Sequence, residues 1–196
     1  MRKLLEGQIA LVVGSAPLAA RIKTALAMEG AHVVGDDPEQ TASLIEDVDI
    51  VVDVGGVFPS RPLVRIDPHQ WRSAFDENVL HGVCAIGQVL PGMIMRDHGA
   101  VILLVVDTAS ETPWNYVPLE VASGARLALA NALAKTIVNS KVVITTFVAD
   151  AAEFTSASGD LCRSIEDGTT FSVSEFIGFV VDVANTPSTS RRSDRD

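Results

Sequence analysis

The chain has 196 residues, 47% of them hydrophobic, a positive mean hydropathy, and a net charge of −10 from 15 basic and 25 acidic residues. That length and apolar content suit one domain with a sizeable core, and the acidic balance disfavours a phosphate-backbone surface, so no nucleic acid is expected. No apolar run reaches the roughly 20 residues of a membrane span and MRKLLEGQIALVVG lacks a signal-peptide cleavage pattern, so the expectation is a cytoplasmic protein with no membrane association.

In chain order, short apolar strands alternate with helices. Ile9 to Val13 is a buried-strand run, and Pro17 to Glu29 an amphipathic helix with proline in its first turn and Gly30 past its end. AHVVG supplies a second strand, Asp37 to Asp47 fits one short helix, and Asp49 to Val54 makes a third strand closed by Gly55-Gly56. Asp67 to Arg96 reads as one long helix, capped by Asp67 before Pro68 and bent near Pro91-Gly92. Val101 to Val106 is the fourth strand, Pro118 to Val138 the next helix, Val142 to Val148 the fifth strand and Val173 to Asn185 a last helix. Such alternation predicts an α/β fold, a doubly wound parallel sheet covered on both faces. Residues 1–186 form the one domain and 187–196 a polar tail without an apolar anchor. Cys84 and Cys162 form no CxxC or ligand cluster and read as core thiols; no metal site is expected.

The helix from Pro118 to Val138 is apolar or small on every side of its period, so it is expected to be buried twice. One side packs on the sheet. The Ala- and Gly-rich remainder, around Ala125, Leu129 and Ala132, with Ala85 on the long helix, is expected to meet another helix.

Within that helix, EVASGARLALANALA resembles the YxASKAALxxLxxxLA pattern of short-chain dehydrogenases/reductases. The resemblance continues in the opening LEGQIALVVGSAPLAAR, in DIVVDVGG set against DxLVNNAG, and in WRSAFDENVLHG set against W-x(6)-N-x-x-G. It covers roughly residues 4 to 148 and implies a Rossmann-like sheet of about five strands in the order 2-1-3-4-5, trimmed at both edges. It also implies site positions. Gly14 holds the first glycine of the phosphate turn, Leu18 and Ala20 replace the second and third, Asp37 matches the ribose-binding acid, and Gly56 the last position of NNAG. Asn78 keeps the place of the catalytic asparagine. The tyrosine and lysine positions hold Glu120 and Gly124, and the serine position falls at Val106 or Asp107, with Thr108 and Ser110 nearby.

In that family the tyrosine moves the proton at the carbinol oxygen and the lysine tunes it. Neither is present, and a leucine in the phosphate turn is expected to fill the pyrophosphate's space, so no cofactor is expected in this chain, or NAD if any. The chain is therefore expected to be a non-catalytic subunit. It resembles the inactive subunit of heteromeric hydroxyacyl-CoA dehydrogenases, and the expected partner is an active paralogue, held in a hetero-oligomer through helices 67–96 and 118–138. Two alternatives stand beside this: an oxidoreductase with Glu120 in place of the tyrosine, which needs burial to raise the carboxyl pKa, and a small-ligand-sensing module using the crevice at the strands' carboxyl ends.

Overall fold

A computed structural model describes residues 3–14, 16–35, 43–56, 63–107, 117–150 and 173–186. Five strands, β1 (Ile9–Gly14), β2 (His32–Val34), β3 (Ile50–Gly55), β4 (Ala100–Asp107) and β5 (Val143–Asp150), form one sheet in the order β2-β1-β3-β4-β5. Every pairing is parallel, with Ala10 opposite Ile50, Ile50 opposite Ala100 and Ala100 opposite Val143. This is the expected Rossmann-like order.

The strands are mostly apolar because helices cover both faces. On one face Ala10, Val12, Val52, Ile102 and Leu104 pack against α1 (Ala16–Met28) and α5 (Val173–Asn185). Phe176 of α5 is fully buried and meets Phe147 of the edge strand edge-to-face, with ring centroids 5.0 Å apart, a pairing that adds about 1 kcal/mol to its area burial. On the other face Leu11, Val13, Val51 and Leu103 meet two further helices, α3 (His81–Arg96) and α4 (Val117–Thr136), through Ile86, Val89, Met93 and Ala130.

The long helix forms over its expected span but deforms elsewhere. It runs as α2 (Pro68–Phe75), a π turn (Asp76–Leu80) and α3. Asp67 caps it through the amides of His69 and Gln70, and the Gln70 side chain returns the bond to the Asp67 amide. The irregularity expected at Pro91 lies instead at Asn78, whose Nδ2 donates to the Ala74 carbonyl at 2.7 Å and competes with the backbone ladder. Pro91 stands inside α3, exposed. The run Pro68–Arg96 is long and apolar enough by composition to cross a membrane, contrary to the reading from apolar runs alone, but its inner face packs on the sheet. Cys84 is exposed on α3 and so corrects the core-thiol reading; Cys162 lies outside the described residues. Of the short helix expected over 37–47, residues 43–47 form turns and the rest lies outside the described residues.

Asp97 ends α3 in the left-handed region, φ 52, and accepts a hydrogen bond from the Lys141 amide at 2.7 Å while pairing with its ammonium at 3.0 Å. The amide bond first, and then the ammonium, hold its carboxyl below the usual carboxylate range. A depressed folded-state pKa contributes stability that is present above the unfolded value of about 4 and lost as pH falls through the folded one. Asp97→Asn, which tolerates the same backbone, should melt slightly below wild type at pH 7, and the gap should narrow as pH falls through the folded-state value in thermal scans; a gap unchanged down to the acid limit of folding would count against the bond.

Candidate functional site

In a sheet of this order the crevice opens at the carboxyl ends of β1, β3 and β4. Gly14 and Gly55 end the first two of these side by side, both at positive φ. A side chain on Gly14 would overlap the Gly55 carbonyl, so this glycine is held by strand packing as well as by its backbone angle.

The phosphate turn is not the one the sequence implies. α1 begins at Ala16, and Leu18 lies inside it, 2% exposed, packed in the core against the α5 side of the sheet. The leucine therefore does not fill the pyrophosphate's space. Leu18 lies in the helix that the sequence predicts from Pro17, with its side chain buried in the core. Asp37 lies outside the described residues, as do Thr108 and Ser110.

Asn78 is fully buried, and its carboxamide is committed to backbone: Oδ1 accepts from the Gly56 amide at 2.6 Å while Nδ2 serves Ala74. It ties the π turn to the end of β3. Glu120 and Gly124 share an exposed face of α4, and space is open beyond Gly124. Ser123 between them is buried and accepts from the Val106 amide at 3.4 Å. No phenol, ammonium and hydroxyl are brought together here among the described residues.

What does occupy the centre is a pair that the motif comparison passes over. Asp53, at the first asparagine of the NNAG pattern, is 2% exposed, and Arg126 on α4 is 5% exposed; their Oδ2 and Nη2 lie 3.0 Å apart. Arg126 Nη2 also donates to the Asp53 carbonyl, and Asp53 Oδ1 accepts from the Gly55 amide at 3.1 Å. Burial pushes the Asp53 carboxyl up and the Arg126 guanidinium down, each opposed by the other's charge. Arg126 Nε is buried without a hydrogen-bond partner among the described residues. A sequence signal existed: one aspartate within an apolar strand and one arginine on the apolar side of a helix each need a counter-charge, and a single core offers each the other.

No family model and no curated protein matches the sequence. Solved structures do match. A gluconate 5-dehydrogenase from Burkholderia cenocepacia J2315, in complex with NADP and tartrate, superposes with a TM-score of 0.72 at 16% identity over 93% of this chain and 90% of that one. A short chain dehydrogenase from Salmonella enterica serovar Typhi gives 0.72 at 14% identity over 97% and 95%, and a short chain dehydrogenase/reductase family protein 0.69 at 20% over 92% and 91%. The chain thus has the fold of these dehydrogenases.

Proposed function

We propose that this chain is a non-catalytic subunit built on the short-chain dehydrogenase frame, assembling with a catalytically competent NAD-dependent relative that oxidises an alcohol or hydroxyacyl-CoA. One observation carries the reading: the positions of the tyrosine and lysine hold Glu120 and Gly124, on an exposed face of α4. The phosphate turn also lacks the second and third glycines that let a pyrophosphate approach the backbone, Leu18 and Ala20 standing in their places.

An assembling surface is supported by what the sheet leaves uncovered. Leu80, Val83 and Ile94 on the long helix, and Val121 and Leu127 on α4, are exposed large apolar side chains, interspersed with Gly87, Gly124, Ala128 and Ala132. Ala125, Leu129 and Ala85, expected on this face, are half-buried against the chain's own core; Ala132 is exposed. Small residues beside apolar ones let a second pair of helices approach closely.

Isothermal titration should show no binding of NAD or NADP tighter than about 1 mM, and co-purification from the native host should recover a stoichiometric dehydrogenase. Micromolar affinity for either nucleotide, or a chain recovered alone, would overturn this reading.

A further inference from the structure

We propose that Asp53 and Arg126 form a positioning clamp that sets α3 and α4 against the end of β3, and so fixes the shape of the outer apolar face. The proposal rests on the assembling role given above, and it adds to that role the residues that shape the surface.

The Asp53 carboxylate is bonded from α4 and packed closely against α3. Gly82, in the first turn of α3, leaves room for it: a side chain there would overlap Asp53 Oδ2. From α4, Arg126 Nη2 meets both the carboxylate and the carbonyl of Asp53, at a point one bond further along the side chain than a lysine's ammonium reaches. Gly55 in turn lacks the side chain that would overlap the guanidinium. Two glycines on two elements, Gly82 of α3 and Gly55 of β3, thus leave room for one ion pair.

A buried pair of this kind contributes little net stability against an apolar pair, since both charges lose their hydration, and its best-attested use is to fix a unique arrangement. Here that arrangement is the placing of the outer helices. Arg126 points inward from the stretch of α4 whose opposite side carries Val121, Gly124, Leu127 and Ala128. Asn78, bonded to Gly56, anchors the neighbouring π turn to the same strand end. Both halves of the outer face are therefore hung from residues 53–56.

The test compares Arg126→Ala, Arg126→Lys and the double variant Asp53→Asn with Arg126→Ala in the full chain, reading thermal midpoint, amide exchange in α3 and α4, and assembly with the co-purified partner. Arg126→Ala strands a buried carboxylate and should lower the midpoint by roughly 10 °C, from the cost of breaking a buried pair in a chain of this size. The double variant removes the stranded charge and should recover part of that midpoint, yet exchange in the first turn of α3 and the middle of α4 should quicken about tenfold or more and assembly should weaken. Arg126→Lys keeps the charge and should show the same faster exchange. If Arg126→Ala fails to fold, the other two variants still decide. A wild-type midpoint in Arg126→Ala, or wild-type exchange in the double variant, overturns the clamp. A wild-type chain that never assembles defeats the subunit reading alone, since exchange and midpoint still judge the clamp.

Discussion

Gly14→Ala should destabilise the chain by roughly 3 kcal/mol or more, lowering its midpoint by about 6 to 12 °C, while Gly87→Ala and Gly178→Ala should raise it slightly. Gly14 holds φ at 132°, where an L side chain is strained, and the new methyl would meet the Gly55 carbonyl, a backbone atom that cannot rotate away. Nothing stands within 4 Å of a side chain at Gly87 or Gly178, and both are helical, so alanine there gains about 0.5 to 1 kcal/mol. Thermal melts of the three variants would check the contrast. A Gly14→Ala chain as stable as wild type would show that the β1–β3 junction is not packed as described, and that the glycine is kept for another reason.

Ala132→Arg should leave the isolated chain folded and abolish its assembly, weakening the complex at least a hundredfold. The residue is exposed on α4, so within one chain the change is a surface substitution worth no more than about 0.5 kcal/mol. In a close-packed helix bundle the guanidinium must be desolvated without a partner, at a cost of several kcal/mol. Ala125→Arg would be a poor probe, because Ala125 is half-buried against the core and its loss would disturb the fold itself. Size-exclusion with light scattering reads the outcome: normal assembly of Ala132→Arg would remove α4 from the interface.

The contrast between these two probes shows how far periodicity reaches. An all-round apolar helix announces that it will be covered, but Ala125, Leu129 and Ala132 are indistinguishable in sequence as to which side meets the sheet. Only the rotation of α4, fixed inward by Arg126 and Ala130, separates them. The π turn is a second such case. Pro91 is the visible helix breaker, yet it sits on the exposed face, while Asn78 widens the helix because its side chain has a backbone donor waiting at Gly56 and an acceptor at Ala74.

The sequence by itself determined the alternation of five strands with the main helices and the absence of a tyrosine and lysine at positions 120 and 124. These depend on residue type and on spacing along the chain, which folding does not alter. The tertiary structure decided where Leu18 points, what Asn78 bonds, and that Asp53 meets Arg126 across 73 residues. Leu18 goes inward because the rotation of α1 on the sheet puts its side chain in the core. The ion pair forms because two charges removed from water by different elements can be reconciled only where the fold brings those elements together, and neither stretch contains that information alone.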